Sequence, residues 1–270
     1  MVSKVLISFD IEEFDLPREN GVDISLEEGV RVSATGLKRI LKMCRKADIK
    51  ATFFVTGNFA RECPKLVQEI VKDGHEVACH GVDHFEPAPT DVKESKRMVE
   101  KVAGVKVVGY RQPRMFEIND EELKRCGYLY DSSVNPAWVP GRYNHRDVPR
   151  KPFIKKGVLE IPTSVASGLR VPLFWLALHV FPEWLYLKMA KMSLKKTGYF
   201  ATYFHPWEFA DITKYKVQKY ITYNSGEKLT NRLFWVISEL KKSGCAFLTY
   251  AEYAKTWYNA DNGKGKKKLK

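Results

Sequence analysis

The chain has 270 residues, 44% hydrophobic and 29% charged, which fits one large globular domain or two small ones and excludes intrinsic disorder, a collagen-like repeat and a small disulfide scaffold. Its formal charge is +13, but five of the positives lie between Lys264 and Lys270, leaving a body of about +8. A basic body suits nucleic acid, anionic glycan or an anionic membrane surface alike, so charge excludes none of them.

Short apolar runs alternate with helical periodicity along most of the chain, the signature of a parallel α/β sheet or barrel. The runs predict strands at Lys4 to Asp10, Ala51 to Thr56, Glu76 to His80, Val105 to Tyr110, Tyr128 to Asp131, Val158 to Ile161, Tyr199 to His205 and Cys245 to Thr249. Helices are expected at Ala34 to Lys46, at Pro64 to Asp73 with its opening proline and closing Gly74, at Thr90 to Val102 and at Lys228 to Lys242. Pro136 to Lys156, with four prolines, reads as a long loop. Seven or eight parallel strands make a distorted (β/α) barrel over residues 1–258, with residues 259–270 as a basic flexible tail.

Polar residues gather at the ends of these strands, where a parallel barrel builds its site. Along an extended strand Ser8, Asp10 and Glu12 share one face and Ile7, Phe9 and Ile11 the other; Glu13 and Asp15 continue into an acidic loop. His80-x-x-x-His84 ends another strand, and histidines four apart meet on one face of a helical turn. Two imidazoles and a carboxylate are a common shell for a hydrolytic zinc-like site, which Glu12, His80 and His84 can supply, with Asp10 left over as a general base. Glu13 or Asp10 itself remain alternative third ligands. Arg111, Asp131 and His205 end three further strands. Cys79 faces away from His80 and reads as a small buried hydrophobe, and no G-x-S-x-G elbow, P-loop or G-x-G-x-x-G occurs.

The ordered set Phe9-Asp10-x-Glu12, His80-x-x-x-His84, Arg111-x-Pro113, Tyr130-Asp131-Ser132-Ser133 and His205-Pro206-Trp207 resembles the polysaccharide deacetylases of carbohydrate esterase family four over roughly residues 4 to 250, and most of all the branch associated with surface polysaccharides. That resemblance implies a metal-dependent amidohydrolase acting on an N-acetylated saccharide. It implies Asp10 as base, Glu12, His80 and His84 as metal ligands, Arg111 holding Asp10, His205 as the acid oriented by Asp131, and the Arg114 amide stabilising the oxyanion. Pro113, Tyr203 and Trp207 then line the substrate site. The chain departs from the usual family pattern at Ile11, at Met115 where glycine is usual, and at Tyr203 where leucine is common.

On ligand type the divalent metal is zinc, with cobalt, nickel and iron as alternatives. Other linear or cyclic amides, in the manner of allantoinases or deformylases, and a noncatalytic glycan-binding role are the competing readings. Nucleic acid is not an expected partner, since no binding motif accompanies the charge. The apolar, aromatic and then basic stretch 168–196 suggests peripheral contact with a membrane carrying a lipid-linked saccharide, or packing against the barrel or a second subunit; within it His179 is expected to serve packing alone. Cys44, Cys63, Cys79, Cys126 and Cys245 form no C-x-x-C pair, and Met1-Val-Ser-Lys runs directly into a strand pattern. Both features predict a cytoplasmic protein, at most peripheral at the inner membrane face.

Overall fold

A computed structural model describes residues 2–88, 91–141 and 143–265. The strands are β1 Lys4–Ile11, β2 Thr52–Val55, β3 Glu76–Cys79, β4 Gly109–Tyr110, β5 Tyr130–Asp131, β6 Trp138–Val139, β7 Tyr143–Asn144, β8 Phe153–Lys155, β9 Val158–Glu160, β10 Tyr199–Phe204 and β11 Ala246–Phe247. Eight of them, β1 to β5 and β9 to β11, run parallel in one sheet ordered β10-β1-β2-β3-β4-β5-β9-β8, with β8 antiparallel at its end. The Lys4 end of β1 pairs with β11 and its Ile11 end with β2, along the edge opposite β10. Past β9 the chain turns back across the interior: Ser164 N donates to Ala201 O (2.9 Å), and Ala201 N donates to Ser164 Oγ (2.9 Å). This seam joins β9 to β10 and curls the sheet into a distorted barrel.

All eight expected strands are present, most of them shorter than the apolar runs that announced them. The interval 136–156 is not one loop, because its prolines are spaced widely enough to admit the β6–β7 hairpin and β8. The helices are α1 Leu26–Ala47, α2 Gly57–Glu62, α3 Pro64–Lys72, α4 Asp91–Ala103, α5 Asp120–Arg125, α6 Trp175–Val180, α7 Glu183–Thr197, α8 Lys219–Thr222, α9 Glu227–Lys242 and α10 Tyr250–Gly265. α1 begins eight residues before the expected Ala34, because Ser25 caps it by accepting from Glu28 N (3.2 Å). α10 runs through the boundary expected at residue 258, and residues 266–270 lie outside the described residues, as does Thr90 at the expected start of α4.

Period-two alternation sorts the layers. Val5, Ile7, Phe9 and Ile11 join the cluster under the helices, with Phe53, Val55, Val77 and Cys79 from the next two strands. Leu6, Phe54, Ala78, Tyr130, Leu159 and Tyr250 fill the barrel interior. Ser8, Asp10 and Glu12 follow Leu6 on that inner face, so the parallel strands deliver their polar residues to one end of the barrel. In the 168–196 stretch, Tyr186, Leu187, Ala190 and Leu194 of α7 enter the core, whereas Trp184, Lys188, Lys191, Met192 and Lys195 form an exposed stripe.

Candidate active site

Three ligand atoms converge on one point. Glu12 Oε2 lies 3.0 Å from His84 Nε2 and 3.4 Å from His80 Nε2, and it accepts no hydrogen bond among the described residues. Each imidazole is fixed from behind: His80 Nδ1 donates to Arg111 O (2.9 Å) and His84 Nδ1 donates to Asp15 Oδ2 (2.8 Å). With Nδ1 as the donor, each ring turns Nε2 toward Glu12, the arrangement that ligating histidines show. Trp207 Nε1 donates to Glu12 Oε1 (3.1 Å), so one carboxylate oxygen is anchored and the other is free to ligate. All three ligand atoms lie within 4.8 Å of one another, and the donor set fits one divalent ion. Without a cation a proton balances the same charges: burial opposes ionisation of Glu12, but the charges of His84 and His205 outweigh it and hold the carboxyl well below its usual range. Burial likewise opposes charge on His84, and Glu12 and Asp15 outweigh it, raising the imidazole.

The histidines do not share a helical turn. His80 directly follows β3, and the chain then bends through Gly81 (φ +69°), whose missing Cβ leaves room for Pro113, only 2.8 Å from where that atom would stand. Pro113 is therefore a packing residue beneath the site, and it is absent from the cavity lining. Asp15, read from sequence as part of an acidic loop, is buried. Arg114 holds it through Nη2 (3.1 Å), reaches Glu19 through Nη1 (2.8 Å) and donates from Nε to His84 O (3.2 Å). Its neighbour Met115 keeps the left-handed backbone (φ 52°) that a glycine adopts without strain, and Arg114 shares it (φ 56°). Glu13 lies apart from the trio, accepting from Thr56 Oγ1 (3.0 Å), and burial lifts it to about 7.

Asp10 faces a fully buried guanidinium. Arg111 Nη1 donates to Asp10 Oδ1 (2.6 Å) and Ser8 Oγ (2.9 Å), Nε to Ser132 O (3.0 Å), and Nη2 to Ser132 Oγ (3.0 Å) and Tyr250 OH (3.2 Å). Phe54 covers the guanidinium face at 4.1 Å. A buried charge so fully bonded holds one geometry, and with it the position of Asp10.

His205 stands on the other side of Glu12, its Nε2 3.9 Å from Oε1, with the Trp207 ring stacked on it at 4.9 Å. Burial opposes its charge, but Glu12 and the hydrogen bond to Glu208 outweigh burial and lift it to about 9. The partner of its Nδ1 is Glu208 Oε1 (2.9 Å), not Asp131. Strand register explains the correction: Asp131 pairs with Glu160 across β5 and β9, and its Oδ1 accepts from Ser132 N (2.8 Å) and Ser133 Oγ (2.6 Å). Burial raises both acids, and the neighbouring Asp131 raises Glu160 further. Glu208 carried a legible signal, since an acid three residues beyond a strand-ending cap reaches back to the cap's N–H, and His205 N donates to Glu208 Oε1 (2.5 Å). His179 is likewise more than packing, for its Nε2 donates to Glu208 Oε2 (2.9 Å).

These groups open into a cavity of about 320 Å³ walled by Phe174, Trp175, Tyr203 and Trp207, with Tyr203 stacked on Phe174 at 5.4 Å. Aromatic faces beside a polar floor suit a sugar ring.

Comparison with known sequences agrees with this constellation. The sequence profile of the family described as polysaccharide deacetylase matches residues 17–128, which include His80, His84 and Arg111. Over that stretch the chain is similar to the polysaccharide deacetylase family. Among family members, the peptidoglycan deacetylase of Helicobacter pylori is 28% identical over 118 residues, 40% of each protein. The chain spans two fifths or less of the length of the first curated relatives it matches. In fold it is similar to a putative polysaccharide deacetylase from Mycobacterium smegmatis (TM-score 0.68, 18% identity, 96% of this chain and 91% of that one). It is also similar to a family-four pseudoenzyme from Bacillus anthracis (TM-score 0.53, 16% identity, 94% and 66%). The chain therefore shares its fold with proteins described both as deacetylases and as a pseudoenzyme.

Proposed function

We propose that the chain is a metal-dependent hydrolase that removes an N-acetyl group from an amino sugar of a polysaccharide or lipid-linked saccharide. The observation that carries this reading is the convergence of ligand atoms on Glu12, His80 and His84, set between an arginine-held carboxylate and an imidazole. A divalent ion held by that trio, zinc on ligand type, supplies Lewis acidity and makes water more acidic. Asp10, fixed by Arg111, accepts the proton of the attacking water. His205 Nε2 gives a proton to the departing nitrogen, without which an amide does not release its amine. The Arg114 amide is the donor assigned to the developing oxyanion, and Tyr203, Trp175 and Trp207 enclose the sugar and acyl group.

A cytoplasmic setting suits the free cysteines, none of which is paired among the described residues. The stripe of Trp184, Lys188, Lys191, Met192 and Lys195 on α7 supports docking at an anionic bilayer, with apolar side chains entering the headgroup boundary and lysines meeting its charge. No helix among the described residues is long and apolar enough to cross a membrane.

Bound metal comes first in the test, because it needs no substrate. The wild type should hold about one divalent ion per chain and His84→Ala close to none, after which acetate release is measured on N-acetylglucosamine oligomers beside small cyclic amides. Absence of bound metal after incubation with zinc would replace this reading with the noncatalytic glycan-binding one; hydrolysis of cyclic amides alone would move the substrate class.

A further inference from the structure

The acid histidine is held by a buried chain that leaves the strands altogether. Glu208 uses both carboxylate oxygens: Oε1 accepts from His205 Nδ1 (2.9 Å) and from His205 N (2.5 Å), and Oε2 accepts from His179 Nε2 (2.9 Å). The side chains of Glu208 and His179 are fully buried, and 10% of His205 is exposed. A carboxylate bonded through one oxygen alone can still swing about its last torsion; one clamped through both cannot. His179 is itself restrained, because Asn224 Nδ2 donates to His179 O (2.6 Å) and Arg232 donates to Leu178 O (3.2 Å) and Phe181 O (2.5 Å) at the end of α6. Its Nδ1 has no partner among the described residues, so a hydrogen there would be a buried donor without an acceptor, and Nε2 is where the hydrogen belongs. One turn earlier on α6, Trp175 stands edge-on to His205 (5.5 Å) and to His179 (5.9 Å) while lining the cavity.

We infer that Glu208 and His179 are positioning residues for His205: together they fix its Nδ1–H tautomer and aim its Nε2 into the site, and α6 carries the outer member of the chain. A neutral imidazole has two tautomers, and only an acceptor at Nδ1 leaves Nε2 to exchange protons with a ligand. Glu208 does this directly. His179 does it by removing the remaining freedom of Glu208. The inference rests on the deacetylase reading only for the task of His205, and the tautomer can be observed without substrate.

The test uses zinc-loaded protein labelled with 15N-histidine, with the His205 signals assigned by their loss in His205→Gln. At a pH high enough to leave the ring neutral, wild-type His205 should show the Nδ1–H pattern. Glu208→Met keeps the length but offers no acceptor to Nδ1, so the preference for Nδ1–H should be lost. His179→Leu should give a mixture of the two, and His179→Gln, which retains a donor, should restore most of the wild-type pattern. With an N-acetylated saccharide as substrate, Glu208→Met should lower kcat by about 10²-fold or more, with KM within about 2-fold and bound metal unchanged. An unaltered His205 pattern in Glu208→Met, or in His179→Leu should the first variant not fold, overturns the inference even if the protein is an active deacetylase. Altered patterns with no turnover on any saccharide would uphold the positioning chain and count against the deacetylase reading instead.

Discussion

Replacing Gly36 by alanine tests whether the turn that carries His205 is held from below by α1. A Cβ at this position would lie 1.7 Å from Pro206 O and 2.6 Å from Pro206 C, both backbone atoms with no flexible end to give way. Ordinary contact begins near 3.4 Å, so the helix and the turn must separate by about 1.7 Å. Overpacking of this kind costs roughly 1–3 kcal/mol, toward the upper end where both sides are backbone, and the helix propensity of alanine returns about 1 kcal/mol. A net loss of about 1–2 kcal/mol in a chain of this size lowers the melting temperature by roughly 2–8 °C. The catalytic consequence should be larger than the thermal one, since a displacement of about 1 Å at a reacting group costs on the order of 10²-fold in rate. His80 and His84 belong to other elements, so bound metal should persist. Thermal unfolding by circular dichroism, metal content and turnover are measured side by side. A Gly36→Ala protein with the wild-type melting temperature and wild-type turnover would refute the close approach of α1 to the turn and the dependence of His205 on it.

Asp10→Asn should retain metal while losing about 10²-fold or more in turnover, checked by metal analysis beside acetate release; retained turnover would remove Asp10 from the role of base. Burial, with the nearby Lys50 charge, lowers His75 to about 4, and its Nδ1 accepts from Ala51 N–H (3.3 Å), a bond that protonation destroys. The unfolded chain takes up this proton near pH 6.5 and the folded chain only near 4, so stability should fall as pH drops through that window. The loss is on the order of 2–3 kcal/mol, and His75→Asn should flatten the slope in urea unfolding at pH 6.5, 5 and 4. Vesicles containing anionic lipid should carry the wild type upward in a flotation gradient at low salt, and a Trp184→Ser, Met192→Ser double variant should float less. Equal flotation of the two would move the contact away from α7.

Local chemistry and period determined a great deal by themselves. Alternation along Lys4 to Glu12 is enough to place Asp10 and Glu12 on the face opposite Ile11, because side chains of an extended strand switch sides at every residue. Apolar runs separated by helical patterns likewise specify a parallel sheet, and in such a sheet the strand ends share one side. The gathering of Asp10, Glu12, His80, Arg111 and His205 at one cavity follows from those two facts.

Partnership was another matter. Asp131 and Glu208 are both acids near strand ends, and although the three-residue spacing ties Glu208 to the His205 N–H, spacing alone does not say which acid faces the imidazole Nδ1. Only the register of β5 against β9 commits Asp131 to Glu160, and only the tight turn after β10 returns Glu208 to His205. Asp15 and His179 were misjudged for the same reason: a hydrogen bond joining residues 69 or 29 positions apart has no local signature. Sequence determined which groups face the site, because facing is a property of one strand. The tertiary structure decided which groups hold one another, because that depends on distances between elements that no single stretch of chain encodes.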